Sequence, residues 1–519
     1  LGNPPRDTSF WLKAGQACLD GDDPPGAERA LRAALALDAR CVPALYNLGN
    51  LLLGKGEARE AAGLFEKVLA VRPGFAGAWQ NLGRALLDLG RPREAERAYL
   101  KALEIDPSHA QTRFNLGVAR LASGDAPGAR ARFRQALDLD PGMVDAAINL
   151  ACLLLDAREP AEALEMARRA VALAPGDAAA HNTLGAVLES AGAHGEAAAA
   201  YRRAVDLNPG SADVRFNLAT VLLRLGEWEE GWRAYRARLA TDCCPPRDPV
   251  APEWDGTDLG GRRLLVLAEQ GLGDTLQFCR YLAALPGAGE VVFLVQPGLG
   301  EVLRGVAGAT RVLEGDLRAP VPEGLGCDVQ VHLLSLPGLL GTRPGNVPAR
   351  VPYLQAEASR MARFIDGRGP GDGLRVGLIH AGNPGHRRDR ERSCPYGALA
   401  PLFGIPGVRF HSFQQGAERD AGADGVTDLA PRCRRVEDLA AALATMDLVL
   451  SVDSMPAHLA GALGVPVWLL LDAVPDWRWM IRGDTTPWYP SMRLYRQPAP
   501  GAWGEVIEAV GRDLAERAR

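Results

Sequence analysis

From about Asp7 to Pro245, small and apolar positions return with one period of 34 residues. A small residue stands at Gly15, Gly49, Gly83, Gly117, Ala151, Gly185 and Ala219, and a second small series runs Ala27, Ala61, Ala95, Ala129, Ala163, Ala197 and Gly231. Bulky partners recur at Leu31, Phe65, Tyr99, Phe133, Tyr201 and Tyr235, with Ala167 the exception. Proline closes the copies at Pro73, Pro107, Pro141, Pro175 and Pro209. This is the pattern of seven helix-turn-helix units: the small positions let paired helices approach, the bulky one fills the gap, and Pro starts the turn to the next copy.

From Thr241 to Arg262 the period stops, and Cys243-Cys244-Pro245-Pro246, Pro249, Pro252 and Gly260-Gly261 mark a joint. Trp232, Tyr235 and Trp254 are expected to pack the last copy against the second half of the chain, because isolated aromatics in a polar joint seldom stay exposed. Beyond the joint, short apolar runs predict strands at Leu264 to Ala268, Val291 to Val295, Val329 to Leu333, Val376 to His380, Arg409 to Phe413, Leu448 to Val452 and Val467 to Leu471. Helical patterns lie between most of them, which predicts parallel α/β units. The Pro- and Gly-rich interval Pro344 to Gly373, with a short helical piece near Ser359 to Ile365, divides this half into two lobes around a cleft. The closing helix Ala502 to Ala518 is expected to cross back over the joint. The predicted domains are seven repeats over 7–245, a linker and first lobe over 246–355, and a second lobe with the closing helix over 356–519.

Composition narrows the function classes. The 58 Lys and Arg against 63 Asp and Glu leave a net charge of −5, without the basic footprint of a nucleic-acid binder. No apolar run approaches the length of a membrane span, and LGNPPRDTSF does not read as a signal peptide, although without an initial Met a removed leader stays open. The nine cysteines form neither a disulfide framework nor a zinc spacing, which predicts a reducing cytoplasm, no metal and no cofactor.

Candidate chemistry sits in a few loops. Gln270-Gly271-Leu272-Gly273-Asp274 joins a strand to a helix, with glycines that let backbone approach a ligand and an acid that either caps the helix or acts in the cleft. The loop after Gly382-Asn383-Pro384 carries Arg387, Arg388, Arg390 and Arg392. Asp453 and Ser454 precede a helix that starts at Pro456 and carries His458; a helix N-terminus at a strand's carboxyl end suits an anion, yet either residue also suits a plain cap, and His458 a satisfied core histidine. Gln414 ends another strand, and Asp476 and Trp477 come after Leu471 near the same sheet end. In the repeats, Asn47, Asn81, Asn115, Asn149 and Asn217 occupy one register, with Lys13 and Thr183 in it elsewhere. Facing away from the helix-pairing side, these amides suit either the backbone of an extended peptide or a neighbouring helix.

The 34-residue unit resembles the tetratricopeptide repeat. The segments AEQGLGDTLQFCRYL, VGLIHAGNPGHRRDRERSCP, SVDSMPAHLAGALGVPVWLLL and PDWRW followed by TPWYPSMRLYRQ resemble bacterial tetratricopeptide-repeat glycosyltransferases. Their catalytic half is similar to lipopolysaccharide heptosyltransferases, with a two-lobed GT-B fold of Rossmann-like lobes. In plan the chain also looks like O-GlcNAc transferase, whose Asn ladder these positions resemble, and flagellin glycosyltransferases. The resemblance implies an α-helical superhelix followed by GT-B. It implies transfer of a sugar from a UDP- or CMP-linked donor to a protein Ser/Thr hydroxyl, for example of flagellin, held in the repeat groove. It aligns Asp274 with the acceptor base and Arg392 with a cation on the donor phosphates, and matches Asp453, Ser454 and His458 to an Asp-Thr-x-x-x-His segment, with Ser for Thr. Gly271, Gly273, Asn383, Arg388, Gln414, Asp476 and Trp477 are assigned to the donor side. Inversion and a metal-independent mechanism are implied. The alternatives are a non-catalytic repeat scaffold with a degenerate GT-B module, or transfer to a lipid-linked glycan.

Overall fold

The recurring small and bulky positions resolve into stacked helices in a computed structural model that describes residues 7–244, 247–365, 373–386, 388–416 and 425–519. The chain forms two compact units that meet in sequence at Ala191 and Gly192. The expected boundary at Pro245 and Pro246, and Arg387, lie outside the described residues. Among the described residues, no helix is long and apolar enough to cross a membrane.

The first unit carries α1 (Thr8–Asp20), α2 (Pro24–Leu37), α3 (Val42–Gly54), α4 (Ala58–Val71), α5 (Ala76–Asp88) and α6 (Pro92–Ile105). It continues with α7 (Ala110–Ala122), α8 (Ala126–Leu139), α9 (Val144–Asp156), α10 (Pro160–Leu173) and α11 (Ala178–Ser190). Proline occupies the first helical position of α2, α6 and α10, where its missing N–H costs nothing. The small positions have a steric cause. A Cβ on Gly49 would stand 2.7 Å from the Phe65 ring, and one on Gly83 or Gly117 would stand 2.6 Å from Tyr99 or Phe133. Those three rings are buried, each contributing about 1.5–3 kcal/mol. The fifth copy swaps the sizes: Ala151 already carries a Cβ, and the small Ala167 stands where the other copies have a ring, both fully buried.

The second unit opens with α12 (His194–Leu207), α13 (Ala212–Leu225) and α14 (Trp228–Tyr235). Two sheets come next, parallel throughout. The first has β1 (Leu264–Leu267), β2 (Val291–Val295), β3 (Arg311–Glu314) and β4 (Val329–His332) in the order β3-β2-β1-β4. The second has β5 (Leu374–Ile379), β6 (Val408–Ser412), β7 (Thr427–Asp428), β8 (Leu448–Val452), β9 (Val467–Leu471) and β10 (Met492–Arg496), ordered β10-β9-β8-β5-β6-β7. Central strands β1, β2, β8 and β9 are buried along their whole length, as sheets covered on both faces require.

Two expectations change. The closing helix, Trp503–Arg517, does not cross back over the joint. Its apolar face, Trp503, Val506, Ile507, Val510 and Leu514, packs in one cluster with Val376, Leu448 and Trp468 of the second sheet. The helical piece after Pro344 is a single turn, Ala358–Met361.

The expected aromatic joint is present and extends further into the second unit. Trp228 stacks on Trp488 with centroids 5.1 Å apart, and Trp232 and Tyr235 meet Trp477 edge-on at 5.3 and 5.6 Å. Arg224 on α13 donates to the Pro475 carbonyl at 3.1 Å. Arg238, fully buried just after α14, pairs with Glu269 at 2.7 Å beyond β1. The last repeat helices are thus part of the α/β core. The two lobes are joined as well: the Arg280 guanidinium lies between the rings of Tyr353 and Tyr489, 4.4 Å from each centroid, and donates to the Trp488 carbonyl.

Candidate functional site

Parallel strands send their carboxyl ends to one edge, and in this fold the ends of β1 and β8 meet. After β1 the chain turns through Gln270, whose φ is 59°, into α15 (Leu272–Phe278). After β8 it enters α16 (Met455–Ala462). Gly273 is a point of close approach: a Cβ there would lie 3.0 Å from His458 Cδ2 and 3.6 Å from the Met455 Cα. A Cβ here would require the His458 ring to give by a few tenths of an ångström.

Asp274, in the first turn of α15, serves as a cap, since one carboxylate oxygen accepts from the Gly271 N–H at 2.8 Å. The other accepts from Arg478. Burial raises the Asp274 pKa, and the Arg478 charge opposes that rise. Arg478 is a hub: it donates to Gln277 Oε1 at 2.9 Å and Asp476 Oδ1 at 2.7 Å, and its guanidinium lies 4.4 Å from the Trp477 ring centroid. Burial of Asp476 would raise its pKa, but Arg478 prevails and holds it below the usual carboxylate value. One guanidinium thus ties a carboxylate of the first lobe to one of the second.

At α16 the cap role fails for Ser454, whose hydroxyl donates back to the Val452 carbonyl at 3.1 Å and makes no cap bond. Asp453 lies 3.8 Å from His458 Nε2, and burial with the nearby Asp476 charge raises its pKa to about 6. His458 is a satisfied core histidine. It is 5% exposed, stacks on Trp479 with centroids 5.4 Å apart, and shares a 3.1 Å hydrogen bond between Nδ1 and the Tyr489 hydroxyl. Burial, with the charges of Arg478 and Arg280, pushes its pKa down to about 3, so the ring is neutral. The unfolded chain then binds a proton that the folded one refuses between pH about 6.5 and about 3. Relative to His458→Asn, the stability of the native chain is expected to fall as pH drops through that window. Urea titrations of both proteins at a series of pH values measure the difference, and a pH-independent difference would contradict the neutral ring.

Other assigned residues separate into two groups. Arg392 is half-buried, lies against Gly382, where a Cβ would be 2.6 Å from its Nη2, and is held by Asp389 at 3.1 Å. Arg388 is drawn away to Asp472 and the Val474 carbonyl, both at 2.7 Å, and ties this loop to the end of β9. Asn383 shapes its own turn by accepting from the Gly385 N–H at 2.9 Å. Gln414 is 3% exposed; its amide accepts from the backbone of His380 and Ala381 and donates to the Ala381 and Gln415 carbonyls. These bonds hold the loop after β5 in place. Trp477 is 3% exposed and packs in the aromatic joint.

Beside Met455, a cavity of about 450 Å³ opens among Gln415, Ala430, Cys433, Arg434 and Arg435. Arg434 and Arg435 were missed in the sequence, although a basic run just before the helix Val436–Leu443 was their signal. Arg478 was missed because its partner Asp274 is 204 positions away.

The repeat amides stay half-exposed at Asn47, Asn81, Asn115, Asn149 and Asn217. Asn81 on α5 donates to Asn50 at 2.6 Å and Tyr46 at 3.2 Å on α3, which is the neighbouring-helix role. Asn115 accepts from Gln111 at 3.0 Å, and Asn149 donates to the Asp145 carbonyl at 2.8 Å.

Comparison with known proteins bears on the repeats. A tetratricopeptide-repeat family profile matches residues 12–76, 80–144 and 148–212, and a second such profile matches 200–233. The N-terminal half is an array of tetratricopeptide repeats. Protein FlbA of Caulobacter vibrioides is 29% identical over 290 residues, covering 51% of this chain and 48% of its own. The chain thus spans about half the length of that curated relative. Among solved structures, YrrB, described as a TPR protein with an unusual peptide-binding site, is 25% identical with a TM-score of 0.31, over 34% of this chain and 90% of its own. Pseudomonas aeruginosa pilF is 22% identical with a TM-score of 0.36, over 40% of this chain and 95% of its own.

Proposed function

We propose that the chain is a glycosyltransferase of GT-B plan that moves a sugar from a nucleotide-sugar donor to a protein hydroxyl. The observation that carries this reading is the meeting of α15 and α16 at the carboxyl ends of two all-parallel sheets, with Asp274 at the meeting point and an Arg-rimmed cavity beside it. A cavity of about 450 Å³ suits a nucleotide.

In this reading Arg434, Arg435 and Arg392 receive the donor's phosphate oxygens. The acceptor hydroxyl attacks the anomeric carbon, its proton passes to the Asp274 carboxylate, and the bond from that carbon to the phosphate oxygen breaks. Guanidinium groups take the charge growing on the leaving phosphate. No metal is required by these roles. The half-exposed amides of the repeats present the acceptor protein. An activated nucleotide sugar and nine free thiols fit a cytoplasmic setting.

One observation favours a second reading, a repeat scaffold whose α/β half binds without turnover: Asp274 is engaged by Arg478 and so is not free as a base. Calorimetry of the purified chain against UDP, CMP, GDP and ADP separates the readings in two stages. Selective binding of one nucleotide, followed by transfer from its sugar conjugate to protein, is expected. Selective binding without transfer supports the scaffold, transfer to a glycolipid moves the acceptor class, and no nucleotide binding removes the proposal.

A further inference from the structure

Cys244, Glu269 and His332 are scattered in sequence, yet one ligand atom from each lies within 4.8 Å of the other two. The fold brings them together for a simple reason. β1 and β4 are parallel neighbours with Leu267 opposite His332, so Glu269, two residues past β1, emerges beside His332 at the same sheet edge. The joint segment then lays Cys244 across both. Local spacing of cysteines and histidines, the only signal available in the sequence, is blind to such a set.

We propose that Cys244, Glu269 and His332 form a zinc site, with water in the fourth position. Cys244 Sγ lies 3.4 Å from Glu269 Oε2. Two ligands at about 2.3 Å (sulfur) and about 2.0 Å (oxygen) from one tetrahedral zinc would stand roughly 3.5 Å apart, so this edge of the polyhedron is already set. The carboxylate is held for the purpose: Oε1 accepts from Arg238 at 2.7 Å and from the Leu334 N–H at 2.9 Å, which leaves Oε2 turned to the thiol. Arg238 also donates to Ser335 at 2.9 Å and Tyr235 at 3.1 Å, so its charge is engaged behind the carboxylate and away from the ion. Hydrogen bonds of this kind, made from behind, are what orient the ligands of metal sites.

The imidazole completes the set. His332 Nδ1 is buried without a hydrogen-bond partner, a costly omission for a polar atom, and lies 3.8 Å from Glu253 Oε1. Cys244 and Glu269 are only 4% and 2% exposed, whereas the His332 side chain is 15% exposed and gives the ion a way in. Thiolate, imidazole and carboxylate together suit zinc better than magnesium or calcium, which take oxygen donors. On binding, the thiol gives its proton to solvent, and a sulfur–zinc bond replaces the weak hydrogen bond to Glu269. The ion would pin the joint to the first sheet.

The test uses the full chain, stripped by chelator and titrated with Zn²⁺ alone against a chromophoric competitor. One equivalent is expected to bind and to raise the thermal midpoint. Co²⁺ in its place should show a thiolate charge-transfer band. Cys244→Ser should abolish that band, and His332→Gln should weaken Zn²⁺ at least roughly tenfold, while exposed Cys152→Ser changes neither. His332→Gln keeps the question decidable if Cys244→Ser does not fold, which circular dichroism reports. Absence of stoichiometric uptake, or uptake equally tight in His332→Gln, overturns the site.

Discussion

Replacing Arg478 with Met is expected to destabilise the second unit by up to about 3 kcal/mol, the low end of the cost of removing one partner from a buried ion pair, because Asp476 keeps solvent contact. The side chain is only 8% exposed and neutralises both Asp274 and Asp476. Without it, Asp274, 17% exposed, and Asp476, 38% exposed, face each other across the lobes with no cation between them, and the more enclosed Asp274 must be protonated or hydrated. Arg478→Lys keeps the charge but loses the fork that reaches Gln277 and both acids, so it should recover only part of the loss. Urea denaturation of the three proteins measures this. An Arg478→Met variant as stable as the native chain would mean that the link between the lobes is not closed in solution.

Asp274→Asn is expected to abolish the proposed transfer while the fold survives, lowering turnover by about 10²–10⁴-fold if the carboxylate takes the acceptor's proton. Folding should survive because Asp476 keeps Arg478 paired and the Asn amide oxygen can still accept from the Gly271 N–H. Donor binding, measured by calorimetry, should be unchanged, since the cavity is lined by other residues. In the ground state Arg478 occupies one carboxylate oxygen, so the base has to be released before it acts. A phosphate entering between the lobes is an obvious competitor for that guanidinium, and the proposed reaction therefore entails donor-dependent activation of Asp274. Full turnover in Asp274→Asn would move the base elsewhere, with Asp453, raised to about 6, the first residue to examine.

The repeats were legible in the sequence because most of them obey the same local packing rule, visible as a 34-residue period. Gly83 against Tyr99 is a contact that sequence alone announces, since partner positions keep their spacing in every copy. The buried central strands were legible as apolar runs. β3, β7 and β10 were not: β3 and β10 carry Arg311, Glu314, Arg493 and Arg496, the mixed pattern of strands open on one side, and β7 is two residues long. At the site, the sequence showed the loops but not the side-chain surroundings. The sequence left His458 open between a donor contact and a satisfied core histidine, because Trp479 and Tyr489, which enclose it, stand outside its own helix. Trp477 was read with its loop, while its surroundings are Trp232 and Tyr235 from a repeat helix. What escaped is the kind of fact that needs two remote segments at once.

The aromatic joint bears on how such a chain can be cut or recombined. Severing it where the repeat pattern ends would strip Trp488 and Trp477 of the rings that cover them and leave Glu269 without Arg238. The α/β half would then start life with an open hydrophobic wound and an unpaired buried acid. A swap of one repeat array for another therefore has to leave α13 and α14 behind, as inherited property of the domain they serve. By structure they belong with the α/β half, and only by sequence are they the last of the array.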